Sequence, residues 1–183
     1  RSIVLKTESG GEIEVESVVA GLGIQPNTAL AESAGLKTDN GIVVDDFLRT
    51  VNPDIYAAGD VAAFFNPALG KRIRVEHEDN ANTMGHVAGR NMAGAADRYD
   101  HLPSFYSDLF DLGYEAVGEL DPDSQLVCKW KEQFREGIVY YLRHGRVRGV
   151  LLWNVWEKVD AARAAIAAER TFTVADLDSL IPL

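Results

Sequence analysis

Apolar residues alternate with polar ones at Ile3, Leu5 and again at Ile13, Val15, on either side of Ser9-Gly10-Gly11. A period of two broken by glycines predicts a β-hairpin. Residues 18–24 follow as an unbroken apolar run, the length and character of a buried strand. Residues 28–34 predict a short helix stopped at Gly35, and Asn40-Gly41 marks a turn before a strand at 42–44. Asn52-Pro53-Asp54 is a further turn. Residues 55–58 then predict a short buried parallel strand that carries Gly59-Asp60 at its carboxyl end, with a helical turn from Val61.

Glu76, His77, Glu78 and Asp79 open a helix predicted to reach about residue 95, with Ala81, Met84, Ala88, Asn91 and Met92 at helical spacing. Acidic residues in its first turn suit the helix dipole. Residues 95–100 are short, charged and followed by Leu102-Pro103, which marks a boundary. Beyond it the period returns to two. Residues 114–120, 125–131, 137–143 and 147–153 predict four strands, joined by turns at 121–123, 135–136 and 144–145, and hence an antiparallel sheet. Asn154 with Glu157 predicts a capping box for a helix whose stripe is Val155, Val159, Ala162 and Ile166. Thr173 with Asp176 begins a last short helix carrying Leu177, Leu180 and Ile181.

Composition narrows the class. The 183 residues are 46% hydrophobic and 25% charged, those of a globular chain, and no apolar run approaches the roughly 20 residues of a membrane span. Eighteen basic against twenty-eight acidic residues leave a net charge of −10, which argues against nucleic acid as a partner. The basic cluster Lys71, Arg72, Arg74 reads as a solvated surface. One cysteine excludes an internal disulfide; Cys128 alternates with Leu126 and Trp130, so the pattern turns it toward a core. Arg1 is followed by no basic and apolar leader, and the expected location is cytoplasmic.

Candidate chemistry begins at Gly59-Asp60. A carboxylate at the carboxyl end of a strand can cap a following helix or accept a hydrogen bond from a sugar-like hydroxyl of a bound cofactor. Gly21-x-Gly23 is no phosphate fingerprint, because Pro26 stands where glycine or alanine is required. Thr50, Tyr56, Ala57, Gly59 and Asp60 do resemble the second flavin motif of FAD-dependent, NAD(P)H-using reductases. In that family the Asp holds the ribityl chain and pyrophosphate end of FAD, and the helix after it, here from Val61, offers N–H groups to phosphate. Gly21, Gly23, Pro26 and Asn27 resemble the segment that returns the chain from the NAD-binding to the FAD-binding domain.

Two further runs specify a branch. Glu76-His77 with Ala81 resembles the start of the helix aimed at the isoalloxazine in apoptosis-inducing-factor-like and ferredoxin-reductase-like proteins; there, N–H groups near His77 would stabilise reduced flavin. Alone, His77 reads more readily as a surface helix histidine, and the resemblance is what brings direct flavin contact level with that reading. Phe105-Tyr106-Ser107-Asp108 and the run from Gly113 to Gly118 resemble the same branch, with Tyr106 replacing a usual Trp beside the flavin. Tyr106 is otherwise an ordinary core aromatic. Glu115 falls at a position close to the nicotinamide, and by alternation it faces away from Tyr114 and Ala116, as a solvent-facing glutamate would. The His-x-x-x-x-Glu-Pro ending of dithiol reductases is missing at His101 and His144.

The resemblance implies α/β and α+β architecture: a returning segment of an FAD/NAD(P)-binding Rossmann-like domain, then a C-terminal domain of antiparallel sheet plus helices. Residues 1–24 would end the NAD(P)-binding domain, 25–100 belong to the FAD-binding domain, and 101–183 form the C-terminal domain. Neither Gly-rich dinucleotide motif of the family is present, so the chain is expected to be a fragment, inactive alone, of an enzyme passing hydride from NAD(P)H to FAD and electrons to an acceptor. The acceptor would be a small molecule or an electron-transfer protein, and the local basic patch Arg143, Arg146 and Arg148 could override the net charge toward an acidic one. A homodimer is possible. The alternative is a docking or dimerisation module with vestigial catalysis.

Overall fold

The computed structural model describes residues 2–183. The chain opens on the predicted hairpin, β1 (Ile3–Lys6) and β2 (Glu12–Val15), antiparallel with Ile3 opposite Val15. It stands in solvent, with Ile3, Val4, Leu5 and Ile13 exposed. Residues 18–24 overturn the expected buried strand. They carry no regular structure, and Val19 and Leu22 are 99% and 93% exposed. A strand needs neighbours for its N–H and C=O groups, and among the described residues none pairs with this run.

α1 (Ala29–Ser33) ends at Gly35, whose φ is 72°, and β3 (Ile42–Val43) follows the Asn40-Gly41 turn, as the pattern predicts. Gly41 is demanded twice over: its φ is 132°, and a Cβ there would lie 2.6 Å from the Val61 carbonyl oxygen. This close approach lets β3 run parallel to β4 (Ala62–Asn66), with Ile42 opposite Ala62, and β4 turns back antiparallel onto β5 (Lys71–Ile73).

The parallel strand is therefore 62–66 and not 55–58. Backbone groups near Ile55 are spent locally, Thr50 N–H donating to the Ile55 carbonyl and Ala57 N–H to that of Leu48. Ile55 is exposed and Tyr56 makes a single bridge to Arg49. Gly59–Val61 is a 3-10 turn that leads into β4, so no helix follows Asp60. Phe64 explains the preference: it is buried, edge-on to Tyr99 at 5.0 Å, a place only an extended aromatic segment fills.

α2 (Glu78–Met92) runs close to the predicted span and packs Met84 and Ala88 into a core with Val44, Leu48 and Phe64, while buried Asn80 and Asn91 bond to Tyr99 and to the Phe47 and Asp97 carbonyls. Met92, the last of the predicted stripe, is exposed.

The C-terminal sheet has five strands, not four: β6 (Ser104–Leu109), β7 (Leu112–Gly118), β8 (Gln125–Glu132), β9 (Glu136–Arg143) and β10 (Arg146–Trp153). Their order is β6-β7-β10-β9-β8, antiparallel throughout. β6 escapes the pattern because Ser-Phe-Tyr-Ser-Asp-Leu does not alternate apolar with polar residues. α3 (Val159–Ala167) and α4 (Val174–Leu180) join one face of the sheet in a core of Ile138, Tyr140, Leu152, Ile166, Leu177 and Ile181.

α4 begins with the predicted Thr173–Asp176 capping box. α3 does not begin at Asn154. That side chain is taken by the sheet, its Oδ1 accepting from Gly113 N–H at 2.7 Å and its Nδ2 donating to the Arg135 carbonyl at 2.9 Å. Cys128 is exposed, contrary to expectation. Its neighbour Lys129 takes the helix side of β8, laying its stem inward and donating from Nζ to the carbonyls of Asp178 at 2.5 Å and Ile181 at 3.2 Å. Alternation then turns Cys128 to the other face.

Candidate functional site

Gly59, Asp60 and Val61 pack on the first two turns of α2. Gly59 N–H meets the Met84 sulfur at 3.2 Å, and a Cβ on Gly59 would stand 3.7 Å from that of Ala81. With φ at 75°, Gly59 turns the chain sharply and leaves Asp60 exposed. The Asp60 carboxylate has no protein partner among the described residues, while its carbonyl accepts from Arg74 Nη1 at 3.0 Å. Arg74, its side chain only 8% exposed, also pairs with Glu76 at 2.8 Å. So Arg74 ties Asp60 to the chain entering α2.

Of the basic cluster, Lys71 and Arg72 are exposed, as the pattern predicts, and only Arg74 is withdrawn from solvent, though all three are engaged. Lys71 pairs with Glu119, and Arg72 donates to the carbonyls of Val44 and Ala63 at 2.9 and 2.5 Å. Sequence pattern could not show these contacts, since Arg72 and Arg74 reach backbone oxygens of other segments, those of Val44, Ala63 and Asp60.

His77 is the N-cap of α2. Its Nδ1 lies 3.4 Å from Asp79 N–H, its Nε2 lies 3.4 Å from Tyr106 N–H, and its ring meets that of Tyr106 edge-on at 5.1 Å. A neutral imidazole has one bare nitrogen, so it accepts from one of these donors at a time. Tyr106 is 56% exposed and is not a core aromatic.

Across the β6–β7 ladder Tyr106 is opposite Glu115, which is in turn opposite the buried Leu152 of β10. Glu115 does face away from Tyr114 and Ala116, but that is the helix-covered side, and the residue is half-buried. Its Oε2 finds no partner in the protein. Burial, with the charge of Glu157 adding, pushes its carboxyl above the usual range against the opposing Glu157 N–H.

One group of residues went unseen in the sequence. Asp79 Oδ2 accepts from His101 Nε2 at 2.7 Å, Ser104 N–H at 2.9 Å and Arg163 Nη2 at 3.1 Å. Arg163 Nε also donates to the Leu102 carbonyl at 2.9 Å. Burial opposes ionisation of Asp79, but these donors outweigh it and hold its carboxyl below the usual range. In sequence, Asp79 is only one more acid in a first helical turn, and nothing there announces partners 22, 25 and 84 residues away.

A concavity of about 390 Å³ lies elsewhere, lined by Leu30, Leu36, Ile42, Ile55 and Val61 among others. It is an apolar groove rather than a chemical site. No helix is long and apolar enough to cross a membrane, and no group of acidic, His and Cys side chains could hold a metal ion, both among the described residues.

The mixed architecture is that of part of an FAD- and NAD(P)H-type reductase. Residues 1–85 match the pyridine nucleotide-disulphide oxidoreductases, and residues 122–168 match the mitochondrion-associated C-terminal domain of apoptosis-inducing factor. In both parts the chain is similar to these oxidoreductases, and its relatives are apoptosis-inducing factors and ferredoxin reductases.

Among its relatives, the ferredoxin–NAD(+) reductase component of the anthranilate 1,2-dioxygenase system of Burkholderia cepacia is 36% identical over 86% of this chain and 39% of that protein. Apoptosis-inducing factor 1, mitochondrial, of Dictyostelium discoideum is 35% identical over 97% of this chain and 36% of its own length. The crystal structure of a ferredoxin reductase for the CYP199A2 system from Rhodopseudomonas palustris superposes with a TM-score of 0.83 at 29% identity, over 94% of this chain and 43% of that one. The chain thus spans about two-fifths of the length of the relatives it matches.

Proposed function

We propose that this chain supplies one side of an FAD site in a reductase that takes hydride from NAD(P)H and delivers electrons to an acceptor. The observation that carries the reading is the meeting of His77 and Tyr106 at the N-terminus of α2, beside an Asp60 whose carboxylate is exposed and unpartnered. When bound, FAD supplies the redox chemistry, accepting two electrons from a nicotinamide and passing them on.

The donor set fits such a group. Asp60 is free to accept hydrogen bonds from cofactor hydroxyls, and Gly59, lacking a side chain, leaves the backbone beside it open. Val61 follows in a 3-10 turn rather than a helix, so the anion-stabilising end is that of α2, whose first-turn N–H groups have no intrahelical acceptors. His77 and Glu76 stand at that end, Glu76 held by Arg74. Tyr106 would cover the cofactor from the β6 side. Glu115, half-buried and with an unpartnered oxygen, would face the nicotinamide.

Exposed Val19 and Leu22 and the apolar groove at Leu30 and Ile55 support a further part of the fold covering them, and the chain alone should hold flavin weakly. The net charge of −10 speaks against nucleic acid, and a single cysteine suits the reducing cytoplasm. The acceptor is a small molecule or an electron-transfer protein; a homodimer remains compatible with the exposed β8 edge. The test is anaerobic addition of excess NADH to the full-length protein, then of artificial and protein acceptors. Bleaching of the flavin absorbance and its return on adding acceptor are expected; no reduction would leave only a docking module.

A further inference from the structure

β6 is the edge of its sheet, paired on one side only, with β7. In an antiparallel ladder alternate residues send their N–H groups to the partner, and the others send theirs outward. Here the outward set includes Ser104 and Tyr106, and both find acceptors on the first turn of α2: Ser104 N–H donates to Asp79 Oδ2 at 2.9 Å, and Tyr106 N–H approaches His77 Nε2 at 3.4 Å. Two side chains spaced two apart on the helix therefore close an edge whose donors are spaced two apart on the strand. An open edge of this kind otherwise needs covering.

The two acceptors are not equal. His77 has one bare nitrogen to divide between Tyr106 N–H and its own capping contact with Asp79 N–H, and both distances are long. Asp79 is ionised and takes three donors at once, from His101, Ser104 and Arg163. Arg163 comes from α3, with Nη1 on Asp160 at 3.1 Å, and His101 is fixed at its carbonyl by Asn66 Nδ2 at 2.9 Å. The carboxylate so joins α2, α3, β6 and the segment before it at a single oxygen. Charge-assisted bonds of this length are the strong ones.

We propose that Asp79 is the positioning residue of the site: it holds the edge strand β6 on the head of α2 so that Tyr106 lies against His77. The functional half of the proposal rests on the flavin reading above; the structural half does not. Asp79 itself acts only through Tyr106 and His77.

Hydrogen exchange of single amides in this chain, followed by NMR, tests the clamp without any cofactor. Asp79→Ala should raise the exchange rate of Ser104 at least tenfold and that of Tyr106 by a smaller factor, while Phe105 and Ser107, which point to β7, keep their rates. If Asp79→Ala loses protection throughout β7 to β10 and so fails to fold, Asp79→Asn, which keeps the size but loses the charge, should raise Ser104 about threefold. Unchanged Ser104 exchange in a folded variant overturns the clamp. In the FAD-loaded full-length protein, the rate of flavin reduction by NADH should fall by similar factors in Asp79→Ala, Tyr106→Ala and the double variant, because one residue works through the other. A double variant that falls by the product of the two single factors overturns the positioning role. A full-length protein without flavin refutes the proposed function instead, and the exchange rates still decide the clamp.

Discussion

The imidazole of His77 and the phenol ring of Tyr106 meet edge-on at 5.1 Å, although 29 residues separate them and they belong to different elements. The contact joins a helix cap to a strand edge, and it places two residues of the candidate site where one ligand can touch both.

His77 has a measurable structural duty as a cap. His77→Ala should lower stability by about 1 kcal/mol, the usual worth of an N-cap side chain. Tyr106→Phe should change it by less than about 0.5 kcal/mol, because the hydroxyl of an exposed ring has no protein partner to lose. Urea unfolding of the two variants separates these outcomes.

Asp79 predicts a pH dependence of known sign. Its carboxyl titrates below the usual range when folded, with His101, Arg163, Tyr99 and Asp160 the ionisable groups around it. A depressed folded pKa contributes stability that is present above the unfolded value and lost as pH falls through the folded one. The urea midpoint should therefore fall on acidification below about pH 4, near the unfolded value. Asp79→Asn should show a shallower fall over the same range.

Glu119 ties the two parts of the molecule, its carboxylate paired with Lys71 on β5 and with Arg148 on β10 at 2.7 Å. Burial opposes its charge, but Lys71 and Arg148 outweigh that and hold it below the usual range. Glu119→Ala leaves both cations without their anion, and Arg148 is only 18% exposed. A loss of about 2–3 kcal/mol is expected by urea unfolding, more than an exposed pair would give.

Gly149 sits at the irregularity of β10 between Val147 and Gly149, and any Cβ there would overlap the Glu119 carbonyl. Gly149→Ala should cost about 3 kcal/mol, because the obstruction is backbone and cannot rotate away.

What the sequence disclosed and what it hid divide along the range of the interactions. Elements made by near neighbours were legible: the Ser9-Gly11 hairpin, the Thr173–Asp176 box, and four of the five strands of the C-terminal sheet, β7 to β10, each within two residues. Residues 18–24 looked like a buried strand because apolarity marks what seeks cover, not what has it. Residues 55–58 and 62–66 are both apolar, and only the local bonds from residues 48–55 decide which one joins β3. Asn154 and Cys128 were misjudged because their surroundings come from other strands and α4. Of the site, Gly59, Asp60, His77 and Tyr106 carried a family likeness in their own letters; Arg74, Asp79 and Arg163 carried none.

Cys128 gives a simple check of the β8 register. As an exposed thiol, it should react with a water-soluble disulfide reagent in the folded protein, one equivalent and without a denaturant. A thiol that reacts only on unfolding would mean that β8 is turned over.

The central claim is that Asp60 belongs to a flavin site, and flavin content measures it most directly. Full-length protein carrying this chain, purified in parallel as wild type and Asp60→Ala, should show about one FAD per chain by absorbance in the first and a loss of most of it in the second. Wild-type protein without flavin, or Asp60→Ala with undiminished flavin after dialysis, would contradict the account.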